Sequence, residues 1–127
     1  MKRTKLALKT TFALATAAAT LALAAPAQAA QGVSDIGDGY PNSYNSVHCV
    51  QTVLNNWVAN VVGNPGAQVQ EDGIWGPKTK GLVTYFQQVQ HNADPSVGVD
   101  GIVGPQTGNY MLYSHSQPCY SYIPTYF

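Results

Sequence analysis

The sequence predicts an all-α domain of three short helices, with two Asp-Gly turns that each lead into a helix and a C-terminal tail tethered by a disulfide. Three observations support this prediction. Apolar residues recur at helical spacing, an eight-residue phrase occurs twice, and the chain contains two cysteines. A length of 127 residues suits one ordinary domain rather than two.

Apolar residues three or four positions apart predict the first helix over residues 47–61. Ser46 can cap its start, and the Gly-Asn-Pro-Gly run at 63–66 ends it. The preceding residues 30–45 are dense in Gly, Asp, Asn and Pro without an apolar period, which predicts a flexible N-terminal arm. The apolar stripe of the helix consists of Val47, Val50, Leu54, Trp57, Val58 and Val61.

An eight-residue phrase at 72–79 returns at 100–107 with six identical positions, 28 residues further along the chain. Each copy opens with an Asp-Gly turn and continues into a Gly-Pro pair, and proline is favoured at the first position of a helix. The two copies therefore predict a second helix over residues 77–91 and a third over 105–113. Together the three helices predict a domain spanning residues 46–113.

The N-terminal residues have the order of a secretory signal peptide, which we place at residues 1–29. Four basic residues in the first nine positions precede an uncharged stretch rich in Ala and Leu, then Pro26 and an Ala-Gln-Ala cleavage site. An uncleaved membrane anchor is the alternative interpretation. Without this leader, two lysines face six acids, and the resulting net charge of −4 argues against a nucleic-acid partner. We expect a secreted protein with no membrane contact after cleavage.

Cys49 and Cys119 are the two cysteines of the chain. In an exported protein an even number of cysteines predicts a disulfide, and two buried free thiols are the alternative. The bond would pin an aromatic C-terminal tail, residues 114–127, to the first helix.

The motifs resemble those of the small three-helix peptidoglycan-binding domain that is appended to bacterial cell-wall hydrolases. The resemblance covers residues 46–113 and implies a stand-alone module that binds the glycan or the stem peptide of peptidoglycan, in the extracellular space or at the cell wall. Two positions depart from the family, since Gly108 stands where it usually has tryptophan and Trp75 where it usually has phenylalanine. The residues that carry the resemblance are Val47, Val50, Gln51, Leu54, Asn55, Asp72, Gly73, Trp75, Gly76, Thr79, Leu82, Val83, Phe86, Gln87, Asp100, Gly101, Ile102, Val103, Gly104, Pro105 and Thr107.

Five residues are candidates for ligand binding in a shallow groove near the two Asp-Gly turns: Asp72, Trp75, Tyr85, Asp100 and Tyr110. Sugar C–H faces pack on flat aromatic rings, which favours the three aromatic residues. Three of these candidates also have a structural interpretation. The two aspartates can accept backbone N–H bonds within their turns, and Trp75 can fill the core.

The sequence predicts neither catalysis nor a cofactor. None of the His-rich or Cys-rich metal-binding spacings occurs, and no Gly-x-Ser-x-Gly elbow is present. Glu71 and Asp72 are adjacent acids, whereas a glycosidase needs two carboxyl groups on either side of a bond. A second hypothesis is a secreted inhibitor or regulator of a wall enzyme or protease, because exposed aromatic residues such as those of the tail favour protein interfaces.

Overall fold

The computed structural model describes residues 32–114 and 119–126. Within these ranges the chain forms three α-helices, α1 (Tyr44–Trp57), α2 (Pro77–Ala93) and α3 (Pro105–Ser114). The described ranges contain no strand, and their one isolated bridge joins Ile36 to Val103. The all-α class is therefore confirmed. The predicted signal peptide, residues 1–29, lies outside the described residues.

The first helix begins earlier and ends differently than its apolar stripe predicts. Ser43 is the N-cap, because its hydroxyl accepts the Ser46 N–H at 3.3 Å, so the prediction of Ser46 as the cap is wrong. After α1 the chain continues as a π-helical turn, Val58–Val62, which ends at Gly63 with a φ of 73°. The wider turn rotates the side chains out of the 3.6-residue period, and Val61 is 60% exposed instead of buried.

The core lies between the apolar faces of the three helices. Leu54 and Val83 are fully buried, and the rings of Trp57 and Phe86 meet edge-on with centroids 5.0 Å apart. Met111 of α3 is fully buried as well. A domain of this size has one such core, so a substitution there affects all three helices.

The described part of the C-terminal tail, residues 119–126, contributes to this core. Cys49 in α1 and Cys119 form a disulfide with their Cα atoms 5.7 Å apart, which confirms the predicted pairing. Beyond the disulfide, Ile123 is fully buried, and Asn109 of α3 accepts the Tyr126 N–H at 3.0 Å. The tail is thus packed onto α3 as well as tethered to α1.

The segment before α1 differs from the flexible arm that its composition predicts. Ile36 is 1% exposed, and its backbone N–H and carbonyl pair with Val103 at 3.0 and 2.8 Å. The Asn42 side chain closes the turn by donating to and accepting from the backbone of Gly37, both at 2.8 Å. A single apolar residue among polar ones has no period, so hydrophobic patterning misses such an anchor.

Candidate binding groove

The first Asp-Gly loop, residues 72–79, is organised by one buried glutamine of α1. The Gln51 side chain is 1% exposed and accepts the Gly73 N–H at 2.8 Å. Its amide nitrogen donates to the Asp72 carboxylate at 2.9 Å, to the Ile74 carbonyl at 3.2 Å and to the Thr79 hydroxyl at 3.1 Å. One side chain therefore fixes both ends of the loop and its position relative to α1.

The second loop, residues 100–107, has the same arrangement around a buried glutamine of α2. Gln87 is 1% exposed and accepts the Gly101 N–H at 2.8 Å. Its amide donates to the Asp100 carboxylate at 3.1 Å, to the Ile102 carbonyl at 2.8 Å and to the Thr107 hydroxyl at 3.0 Å. The two loops thus share their internal hydrogen bonds as well as their sequence.

Asp72 and Asp100, both candidate ligand-binding residues, act within their turns. Each carboxylate accepts the backbone N–H two residues further on, from Ile74 at 3.0 Å and from Ile102 at 2.9 Å. The bond from Ile74, followed by the bond from Gln51, lowers the pKa of Asp72 below its ordinary value of 3.8. In both aspartates, therefore, one carboxylate oxygen is used by hydrogen bonds within the loop, as the structural interpretation predicts.

An open groove lies outside the first loop. A depression of about 610 Å³ runs between the loop and the connector at residues 68–70, and an adjoining one of about 440 Å³ continues along α2 to Tyr85. We call the two together the first groove. Its lining consists of Gln51, Gly66, Ala67, Gln68, Val69, Gln70, Asp72, Ile74, Gly76, Pro77, Lys78, Thr79, Gly81, Leu82 and Tyr85.

The connector wall of the first groove is held by Asn55 of α1. This side chain is 6% exposed, donates to the Val69 carbonyl at 2.7 Å and accepts the Val69 N–H at 2.8 Å. The Gln68 side-chain amide donates to the backbone carbonyl of Asn55 at 3.2 Å, and this bond holds the Gln68 side chain at the edge of the groove. These bonds fix a wall that has no regular secondary structure.

Tyr85 and Lys78 are an aromatic and a charged side chain in the lining of the first groove. The Tyr85 ring is 44% exposed, and its inner edge packs on Trp57 with centroids 5.5 Å apart. Lys78 is exposed, and it forms no ion pair with any residue that the structure describes, whereas the Lys80 ammonium is bound by Asp38. The groove therefore offers a held aromatic ring and an unpaired positive charge.

Trp75 is turned away from the groove. It is half-buried against the core, and its indole N–H donates to the Asp38 carboxylate at 2.9 Å. Hydrogen bonds from Lys80 and then from Trp75 lower the pKa of Asp38. Trp75 thus links the first loop to the segment before α1, and neither of the two depressions that form the groove includes it in its lining.

Tyr110 also lies apart from the first groove. Its hydroxyl donates to the Asp94 carboxylate at 2.6 Å, and its ring packs against the core. This hydrogen bond raises the pKa of Tyr110 and is the main reason that the pKa of Asp94 is lowered. Of the five candidate residues, the first groove therefore brings together Asp72 and Tyr85, and sequence reasoning missed Lys78 and Gln68, which have no motif of their own.

No group of three or more His, Cys, Asp or Glu side chains in residues 32–114 and 119–126 is placed to hold a metal ion. Two histidines in these ranges have other neighbours, since His48 stacks on Tyr44 and the His91 ring nitrogen lies 2.7 Å from the Val97 carbonyl. None of the helices in the described ranges is long and apolar enough to cross a bilayer.

Comparison with known proteins gives no family assignment. No protein-family model, curated protein or solved structure matches the chain.

Acidification should destabilise the protein through its hydrogen-bonded carboxylates. Asp38, Asp72 and Asp94 have pKa values below their ordinary ones, so each stabilises the fold above the unfolded pKa and loses this effect as the pH falls through the folded pKa. We expect the thermal unfolding temperature to decrease once the pH is lowered below about 4. Calorimetry on Asp72→Asn, which keeps an acceptor oxygen, should give a flatter pH profile; an unchanged profile would contradict this assignment.

Proposed function

We propose that this protein is a secreted, non-catalytic module that binds bacterial cell-wall peptidoglycan in the first groove. The observation that carries the proposal is the groove itself, an open surface with an aromatic ring, amide side chains and a positive charge, next to a loop of the resembling motif.

The first groove suits a glycan chain with attached peptides. Tyr85 presents a partly exposed ring on which the C–H face of a sugar packs, and Gln68 and Gln70 offer amide groups to hydroxyls or N-acetyl groups. Ile74, which is 66% exposed, adds apolar surface. Lys78 attracts the carboxylates that stem peptides carry, and this contact distinguishes the ligand from a neutral glycan.

The charges of the first groove do not suit glycoside hydrolysis. Asp72 is the single carboxylate of its lining, and one of its oxygens accepts bonds within the loop. Hydrolysis of a glycosidic bond uses two carboxyl groups on opposite sides of that bond, roughly 5–10 Å apart. Binding without cleavage is therefore the function that this arrangement supports.

The distribution of charge predicts an unusual salt response. Without its leader the chain carries six acids against two lysines, and Lys80 is already bound by Asp38. Bulk attraction to an anionic wall is therefore absent, and exposed charges are screened beyond about 8 Å at physiological salt. Binding should hold steady or strengthen as the salt concentration rises.

The alternative, an inhibitor or regulator of a wall enzyme or protease, depends on the aromatic tail as an interface. Burial of Ile123 and Thr125 makes the tail a part of the fold, which weakens the support for that function. Tyr122, 39% exposed, remains a candidate contact. Tyr122→Ala should leave wall binding intact under the proposal, whereas under the alternative it would abolish binding to a partner enzyme.

Replacing Tyr85 with alanine should weaken wall binding about tenfold, the loss of one aromatic contact of about 1.4 kcal/mol. The measurement is co-sedimentation of the protein with purified insoluble peptidoglycan stripped of teichoic acids, over a range of salt concentrations. Lys78→Gln should give a smaller loss. Tyr113→Ala is the matched control, because this tyrosine is 90% exposed and lies outside the first groove.

The binding proposal fails if the unmodified protein stays in the supernatant at every salt concentration. The assignment of the first groove fails if Tyr85→Ala and Tyr113→Ala bind the wall equally.

A further inference from the structure

A second groove lies outside the second loop, and the side of it that the loop forms corresponds to the loop side of the first groove. Its volume is about 170 Å³. Seven of its lining residues follow lining residues of the first groove by 28 positions: Gly98, Asp100, Ile102, Gly104, Pro105, Gln106 and Thr107. The shared glutamine-centred hydrogen bonds hold both loops in one conformation, so the two grooves have the same framework.

The second groove is acidic, because Asp35 and Asp100 line it without a lysine or arginine, whereas Asp72 and Lys78 offset each other in the first groove. Gln106 stands where the first groove has Lys78, and its amide is bound to the Ser96 carbonyl at 3.1 Å. Asp35 also enters the groove, and its carboxyl atoms would lie 3.6–3.7 Å from a Cβ built on Gly104. In the described part of the chain the Asp35 carboxylate has no hydrogen-bond or ion-pair partner, which leaves it free to accept hydrogen bonds from a ligand.

Two tyrosines complete the second groove, one from the segment before α1 and one from the C-terminal tail. Tyr40 is 39% exposed and Tyr126 is 52% exposed. Each is positioned through its backbone, since Tyr40 donates its N–H to the Gly37 carbonyl at 3.2 Å and Tyr126 donates to Asn109 at 3.0 Å. The groove therefore combines partly exposed aromatic rings with a free carboxylate.

We propose that the second groove is a second carbohydrate subsite, which takes one uncharged N-acetylhexosamine unit of a glycan. The inference rests on the proposed function. The rings of Tyr40 and Tyr126 pack on the sugar, and the Asp35 carboxylate accepts hydrogen bonds from its hydroxyl groups. The carboxylates of Asp35 and Asp100 repel the acidic groups that Lys78 attracts in the first groove. Its volume, below the roughly 300–1,000 Å³ of larger ligand pockets, suits a single ring.

An alkylammonium group would meet the same carboxylate and the same rings. The common framework of the two grooves favours a sugar. In a glycan with alternating neutral and acid-bearing units, Lys78 in the first groove attracts an acid-bearing unit, and the acidic second groove accepts a neutral one.

The test is an NMR titration with two soluble probes. The backbone amide signals of both loops report binding. The first probe is an uncharged tetramer of N-acetylglucosamine, and the second is N-acetyl-lysine amide, which carries an alkylammonium group. We expect the tetramer to shift the amide signals of residues 98–107. Tyr40→Ala and Tyr126→Ala should each weaken this response about tenfold while leaving the response of residues 68–79 unchanged. Tyr113→Ala is again the control.

Three results would overturn the inference. If the tetramer shifts the first loop and not the second, the second subsite is absent while the proposed function stands. If only N-acetyl-lysine amide shifts the second loop, that groove binds ammonium groups. If the tetramer shifts neither loop and insoluble wall also fails to bind, the inference and the proposed function fall together. Circular dichroism on each variant is the control that its helices are retained.

Discussion

Replacing Gln87 with alanine should destabilise the protein by about 4–6 kcal/mol. The substitution leaves the buried Gly101 N–H and the buried Thr107 hydroxyl without their partner, at roughly 1–3 kcal/mol each, and it adds the cost of a cavity. Because a domain of this size has a total stability of about 5–15 kcal/mol, the variant should be close to unfolding. Urea unfolding at neutral pH measures the change. Gln88→Ala is the matched control at the next, exposed position.

A second variant separates the hydrogen bonds from the cavity. Gln87→Glu keeps the size of the side chain but replaces the amide donor with a carboxylate, which then faces the Asp100 carboxylate across about the 3.1 Å of the present hydrogen bond. We expect Gln87→Glu to be strongly destabilised at neutral pH and partly restored by acid, since a protonated glutamate donates again. A loss no larger than that of Gln88→Ala would show that the second loop holds its conformation without the glutamine.

The sequence locates the two loops but hides what organises them. The repeated phrase and its Gly-Pro pairs predict where α2 and α3 begin. The glutamines do not follow the repeat, because Gln51 and Gln87 lie 36 residues apart while the loops lie 28 residues apart. A search for a repeat at the 28-residue offset therefore does not find the two glutamines, each of which holds one copy of the loop. Their family resemblance marks them as motif residues without giving a role.

The grooves are predictable only in part, for a related reason. Tyr85 follows from its place at the edge of the apolar stripe of α2, and the aspartates follow from their turns. The connector wall depends on Asn55 and Val69, which meet through a tertiary contact 14 residues apart. The second groove draws on Tyr40 and Tyr126, from outside the repeat altogether. Local patterning carries no information about which distant segments cover a loop.

The tail backbone passes close to α3 at Gly108. A Cβ on this glycine would lie 1.8 Å from the Pro124 carbonyl oxygen and 2.9 Å from the Ile123 side chain. The resembling family usually has tryptophan at this position, which in this chain is covered by the tail backbone. The absence of a side chain at Gly108 therefore makes room for the segment that the disulfide tethers.

Gly108→Ala should therefore destabilise the protein by about 3–4 kcal/mol, because the tail must move away and Ile123 must leave the core. Gly81→Ala is the matched control, since a Cβ there meets nothing within 4 Å and the change in the middle of α2 should stabilise by about 0.5–1 kcal/mol. Urea unfolding measures both variants. If the two glycines respond alike, the tail does not depend on the space at Gly108.

Hydrogen exchange adds a local readout to the same pair of variants. The Tyr126 amide, bonded to Asn109, should lose protection in Gly108→Ala and keep it in Gly81→Ala. The disulfide at Cys119 still holds the start of the tail, so the released part is the stretch that carries Tyr126 into the second groove. Binding at the second groove should then weaken together with this protection, while binding at the first groove persists. Loss at both grooves would mean that the tail supports the whole fold rather than one subsite.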